Sequence, residues 1–475
     1  MSNKTALVIL LLVGITPTIA SAQNLCPAGV QSDKLICLVP QVYGTNGFVL
    51  PAGVGPAALV NSFNGNSLTP LNSAIARQSV LLPLASPSSG ITFSWDPAAK
   101  TFSPSTDSFG PIFGERADTV GKYRLFLGVS YQYLSFSSLD GTDLKRLPEV
   151  FTQPDTVITD PNTNQPRTCS VSGDSVTDCS FIRDVVTVQN RIDLKIHQVT
   201  TFMTFGLTNR VDVSVAIPIQ EVKMSIVSDA TIIDNSGSGT HAFNTRPGCG
   251  SVVNMTNCLN QSFSNTSGAS GIGDIVLRVK GAVWKGERAG LAIGTDVRLP
   301  TGDSLNFLGA GAVGVKPFVV WSYRARVAPH FGAGFEANGS SRVAGDISTG
   351  SKERLPGQFT YSAGADVWLN KRVTAAFDVL GQTVFQSQRL IATKYTELGA
   401  CIIAYPNCTD PPVKTPNMDP DLAQSTRNIN VLNASVGFKV KLVANLLATA
   451  NVVFKTNSGG LRSKAIPMGE LSYTF

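Results

Sequence analysis

The sequence predicts an all-β chain, a transmembrane antiparallel up-and-down β-barrel of about twelve strands with room for fourteen. Three observations carry that expectation. Of 475 residues, 43% are apolar and only 15% are Asp, Glu, Lys or Arg, against about 25% charged in soluble domains. Beyond residue 22 no apolar run approaches the roughly 20 residues of a membrane helix; the longest, Leu442 to Phe454, is broken by Asn445 and Asn451. From Thr119 onward, apolar and polar residues alternate with a period of two, and tight turns alternate with longer connections. The mean hydropathy of +0.12 argues against disorder. A net charge of +6 over this length leaves no footprint for nucleic acid.

Residues 1–22 read as a signal peptide. Lys4 supplies the positive start, Ala6 to Ile15 the apolar centre, and Ala20-Ser21-Ala22 the small residues before cleavage between Ala22 and Gln23. Export agrees with the eight cysteines, all downstream, which fall as neighbouring couples: Cys26/Cys37, Cys169/Cys179, Cys249/Cys258 and Cys401/Cys408. Local disulfides suit an oxidising compartment, although spacing alone proves no pairing. No CxxC spacing or neighbouring His points to zinc, so neither a metal nor a cofactor is expected.

Residues 23–118 are rich in Pro, Gly, Ser and Asn. A short hairpin is expected from Ser79–Leu84, Ile91–Trp95 and Thr101-Phe102. The segment precedes the first strand and is expected to fold into the lumen as a partial plug, to hang in the periplasm or to contribute two extra strands, because so long a stretch without periodicity is either functional or disordered.

Residues 119–475 carry the barrel. Strands are expected at about 119–137, 183–207, 210–228, 272–285, 288–301, 311–322, 325–338, 357–369, 372–385, 427–441, 445–456 and 464–475. Tight turns at Thr208-Asn209, Gly286-Glu287, Tyr323-Arg324, Asn370-Lys371 and Leu442-Val443-Ala444 would face the periplasm, with the long loops outside. In the second strand Ile192, Leu194 and Ile196 are expected to face lipid. Val199, Met203 and Phe205 follow with the opposite parity, so a β-bulge near Gln198 is expected. Trp284, Trp321 and Trp368 sit near tight turns, as an aromatic girdle would, with only Trp321 clearly outward by parity. Leu471, Tyr473 and Phe475 end the chain in alternation and are the expected assembly signal.

Parity makes Arg191, Asp193, Lys195, Asp274, Arg278, Lys280, Asp296, Arg298, His330, Glu336, Asp366 and Asp378 candidates to line the lumen, with His197, Asp212, Lys316 and Lys439 beside them. Asp274, Arg278, Asp296 and Arg298 are expected to pair across adjacent strands, since unpaired charge in a narrow lumen is costly. A constriction that selects solutes is the alternative role. His330 could meet Ser322 or Ser362, but nothing fixes a catalytic geometry, so no catalytic residue is assigned and no enzyme is expected. Gly309-Ala-Gly311-Ala-Val-Gly314 matches a dinucleotide-binding glycine pattern, yet Lys316-Pro317-Phe318-Val319 continues as a strand. Its small residues suit a loop re-entering the barrel.

Gly271-Ile-Gly-Asp274-Ile-Val-Leu-Arg278-Val-Lys280 and Asp296-Val-Arg298-Leu-Pro300-Thr-Gly302-Asp303, with Asn306-Phe-Leu-Gly309, Pro329-His330-Phe and Asn338-Gly339, resemble a family of bacterial outer-membrane barrels. That family is labelled with a MetA pathway of phenol degradation and is loosely similar to FadL-type and toluene transporters. The likeness covers roughly residues 190–475. It implies facilitated diffusion of small hydrophobic or aromatic solutes through a monomer in the outer membrane, among lipid and lipopolysaccharide, after insertion by the assembly machinery. A general polar-solute porin and a non-transporting adhesin or envelope scaffold are the alternatives.

Overall fold

The computed structural model describes residues 25–46, 48, 64–65, 71, 75, 93–96, 101–104, 108–153, 156–159, 163–169, 184–233, 241–243, 259–345, 349–396 and 418–475. The expected signal sequence, with Ala22 and Gln23, lies outside them.

Among the described residues, twelve antiparallel strands close into a barrel. They are β1 (Leu125–Leu139), β2 (Val185–Gly206), β3 (Val211–Ile233) and β4, which runs as Asn260–Ile272 and Ile275–Lys285. There follow β5 (Ala289–Leu299), β6 (Gly314–Tyr323), β7 (Val327–Asn338) and β8 (Gln358–Asn370). The last four are β9 (Val373–Thr396), β10 (Met418–Val443), β11 (Leu446–Lys455) and β12 (Ala465–Thr474). β12 returns to β1, pairing Leu471 with Val129 and Tyr473 with Leu127. Closure leaves no open edge, so every strand can satisfy its backbone without water. The expected twelve-strand architecture is borne out.

The outer wall follows from the alternation. Leu127 and Val129 on β1, Met203 and Phe205 on β2, Leu277 and Val279 on β4, and Phe331 on β7 all project outward and are exposed. Together they form an apolar belt that water would not tolerate but hydrocarbon would cover. Gly128, Ser130 and Gln132 alternate with them on the inner face of β1.

The wall does not keep one chemistry along its height. On β2 the even-numbered residues stay buried from Ile192 to Gly206 in one unbroken pattern. The register with β3 also continues through Gln198↔Gln220 without a shift. There is therefore no bulge near Gln198, and Ile192, Leu194 and Ile196 point inward. They pack against Leu134, Val222, Met224, Leu35 and Ile36. Arg191, Asp193 and Lys195, expected in the lumen, are instead on the outer face, as is His197. Arg191 pairs with Asp229, and Lys195 with Asp193 at 2.6 Å. The cause is strand length. β2 has 22 residues, whereas about 9–11 cross a bilayer. Above the belt the exterior is water and the interior is packed core, so the apolar face changes sides.

A bulge does occur, on β4. Ile219 pairs with Ile272 and Ala216 with Val276, so three steps along β3 match four along β4. The extra residue lies at Gly273-Asp274, and both of these are buried. A second register shift, between Ala282 and Trp284, brings Trp284 outward at 51% exposure. Trp321 stacks on Tyr323 with ring centroids 6.4 Å apart, and Arg326 lies over Trp368. β1 begins at Leu125 rather than at 119, because Thr119 and Val120 are buried and belong to the preceding chain.

Candidate functional site in the barrel lumen

Residues 108–121 cross the lumen at the tight-turn end. They form no sheet of their own, so wall side chains must satisfy their backbone. Phe109 N donates to Thr374 Oγ1 at 3.1 Å, Phe113 N to Asp378 Oδ2 at 3.3 Å, Ala117 N to Ser322 Oγ at 3.1 Å and Val120 N to Asp212 Oδ2 at 3.0 Å. Lys439 Nζ donates to the carbonyls of Phe109 and Pro111, and Lys280 Nζ to those of Arg116 and Asp118. Five different strands thus hold one short segment. Ile112 and Val120 fill the space between them against Phe126, Phe202 and Met468.

Three charged residues of this segment complete the anchoring. Arg116 Nη2 lies 2.5 Å from Asp366 Oδ2, with both side chains buried, and Ser108 Oγ donates to the same oxygen. Glu115 takes Lys280 on one oxygen and Arg278 on the other, each at 2.7 Å. Asp118 pairs with Arg324 at 2.6 Å. The approach is close: a Cβ at Gly114 would fall on the His330 ring and the Asp378 carboxylate. Gly121, at φ 102°, turns the chain out of the lumen toward β1.

A second inward segment joins β5 to β6. The β4 bulge aims the Asp274 carboxylate at it, and that carboxylate accepts Gly302 N at 3.1 Å and Ala310 N at 2.8 Å. Arg298 Nη1 bridges Asp274 at 3.2 Å and the Ala312 carbonyl at 3.0 Å, while Nη2 reaches Glu336 at 2.8 Å. The glycine-rich stretch therefore folds into the barrel, where Phe307, Leu308, Ala310 and Ala312 are buried.

At the long-loop end the N-terminal residues close the top. Cys26 and Cys37 form a disulfide. Leu35, Ile36 and Leu38 pack on Leu194, Ile196 and Phe307, and Lys34 Nζ lies 3.1 Å from Asp303. Tyr43 packs tilted against Phe48 and edge-on against Phe151 and Phe263. Asn64-Gly65 adds an antiparallel pair to Leu147–Thr152, which in turn pairs with the outer end of β2. Farther along, Phe93–Asp96 and Thr101–Pro104 form the expected hairpin, while Ser79–Leu84 lies outside the described residues. So do Cys179, Cys249, Cys258, Cys401 and Cys408.

Between the two ends lies a cavity of about 290 Å³. Phe113 and Glu115 floor it, Phe202, Val276 and Phe318 line its sides, and Phe136, Leu461 and Ile466 line its upper part. Gly314, Gly332 and Gly334 line it on the β6–β7 wall. The lining is two-natured: aromatic and aliphatic surface beside Arg278, Arg298, Lys316 and Arg462. Arg278 lies over the Phe318 ring, 4.9 Å from its centroid.

The chain is similar to solved outer-membrane barrels. An outer-membrane channel from Pseudomonas putida F1 superposes with a TM-score of 0.40 at 10% identity, covering 76% of this chain and 98% of that one. A FadL homologue of Pseudomonas aeruginosa gives 0.30 at 11% identity, over 82% and 96%. The toluene transporter TbuX of Ralstonia pickettii gives 0.25 at 10%, over 74% and 89%. At these values the likeness describes a barrel outline and carries nothing about substrate. No protein-family model matches the chain, and no curated protein does, so the phenol-degradation label stays a resemblance.

Of the lumen candidates, Asp274, Arg278, Lys280, Asp296, Arg298, His330, Glu336, Asp366 and Asp378 all lie on the inner face. Arg278 grips Asp296 through Nε at 2.6 Å and Nη2 at 2.9 Å. His330 Nε2 lies 2.6 Å from Asp378 Oδ1, and its Nδ1 lies 3.7 Å from Asp366. Both ring nitrogens thus face carboxylates, while Ser322 Oγ is taken by Ala117. Glu115, Arg116 and Asp118 were not legible as site residues, since their segment has no period. The available signal was a dense charged knot, Glu115-Arg116-Ala117-Asp118, closing a charge-poor stretch.

Proposed function

We propose that this chain is a monomeric outer-membrane channel that passes small, largely apolar solutes by facilitated diffusion, gated by residues 108–121. The cavity carries the reading: a space with aromatic walls, enclosed in a barrel whose outer face is apolar, between two inward-folded segments. The tight-turn end, which holds both ends of the barrel, is periplasmic and the long loops are external. On this plan residues 1–22 are removed after export, 23–118 supply the plug and cap, and 119–475 the wall. Leu471 and Phe475, both outward and exposed, are read by the assembly machinery.

A general polar-solute porin needs an open, water-filled path, whereas here residues 108–121 cross the lumen, tied to β4 by the pairs of Glu115 with Arg278 and Lys280. A surface scaffold would also tolerate a filled lumen, but has no use for the cavity. Reconstitution into liposomes separates the three. Measured against protein-free liposomes, the protein should accelerate benzyl alcohol much more than arabinose; acceleration of arabinose alone supports the porin, and acceleration of neither supports the scaffold.

A further inference from the structure

Four cations line the cavity: Arg278, Arg298, Lys316 and Arg462. Three are neutralised in place. Arg278 pairs with Glu115 and Asp296, Arg298 with Asp274 and Glu336, and Lys316 with Asp296 at 2.9 Å. Arg462 is different. It sits on the short strand Leu461–Ser463, opposite Ser138 of β1, above the level where the wall chemistry inverts. Its Nη2 donates to the Leu432 carbonyl and Asn433 Oδ1, each at 2.7 Å. Its Nε is buried with no acceptor. Among the described residues no carboxylate pairs with it, although the residue is only 3% exposed.

Burial pushes the Arg462 guanidinium down to about 10, so it stays protonated at neutral pH. A buried charge without a counter-ion is destabilising, and a cavity that keeps one holds a place for an anion. The neighbouring cavity wall is apolar, with Phe136, Val431 and Ile466 on it. An inorganic anion would leave that surface uncovered, whereas an amphipathic acid would cover it. We propose that Arg462 is the head-group site for the carboxylate of a small amphipathic acid whose apolar body lies against Phe136, Val431 and Ile466. The proposal rests on the channel reading for its use in transport, but not for binding itself.

The test is binding to the purified, detergent-folded full chain, by calorimetry, with benzoate and its neutral analogue benzyl alcohol. Benzoate should bind roughly tenfold or more tightly than benzyl alcohol, as a charge-assisted hydrogen bond implies. Arg462→Gln should erase that preference, bringing benzoate affinity down to the level of benzyl alcohol, while Arg462→Lys should retain part of it. Heat-modifiable electrophoretic migration verifies that each variant is a folded barrel. Equal binding of the two probes by the unmodified chain, or an undiminished preference in a folded Arg462→Gln, overturns the proposal. Absence of flux with benzoate preference intact would sink the channel reading and leave the site standing.

Discussion

Tyr131 Oη lies 2.8 Å from Nδ1 of His197 on the outer face of the barrel, and the Tyr133 ring packs 4.9 Å from the same imidazole. This cluster marks the level at which the wall changes its outward chemistry. Below it Val199 and Met203 face outward; above it Lys195, Asp193 and Arg191 do. Amphipathic rings at such a boundary keep one edge in hydrocarbon and one in water.

Substitutions on either side of that level should therefore differ. Val279→Arg places a charge in the belt and should cost about 2–4 kcal/mol of folding stability in lipid. Lys195→Leu, on the same outer face but above the level, should change stability little, since its ion pair with Asp193 is solvent-screened. Denaturant titration of both variants in bilayers measures the contrast.

The same boundary explains what the sequence could and could not disclose. A period of two locates strands well, because Leu277, Val279 and their polar neighbours alternate whatever lies outside. It cannot say what medium each face meets. Read as lipid-facing throughout, Ile192, Leu194 and Ile196 demanded a bulge at Gln198 and sent Arg191, Asp193 and Lys195 into the lumen. The strand simply outlasts the membrane. The true bulge, at Gly273-Asp274, hid among glycines that any loop could contain. The pairing of Arg278 with Asp296 was legible because both lie on adjacent regular strands. Glu115 and Arg116 were not, because tertiary contact alone places them.

Arg116 and Asp366 form a buried pair, and breaking one side leaves an uncompensated charge. Arg116→Met should loosen residues 108–121 by about 3–5 kcal/mol, seen as faster amide exchange there with barrel strands still protected. Arg116→Met combined with Asp366→Leu should recover much of that protection, since both charges are gone.

Glu149 offers a pH dependence outside the membrane. Burial, and then the nearby Asp421 charge, raise its carboxyl from 4.5 to about 8. A folded value above the unfolded one means that its contribution is whole below about 4.5, fades as pH rises, and is gone above about 8. Leu147–Thr152 should thus hold less firmly to β2 at pH 9 than at pH 5.5. Amide exchange at Val150 and Phe151, corrected for intrinsic rates, should show this, and Glu149→Gln should flatten it.

The gate itself can be locked. Ala117 N and Ser322 Oγ are 3.1 Å apart, so Ala117→Cys with Ser322→Cys would tie the luminal segment to β6. In liposomes the oxidised double variant should pass benzyl alcohol at the protein-free rate and regain flux on reduction, while each single variant stays open throughout. Undiminished flux through the verified cross-linked barrel would contradict a channel gated by residues 108–121.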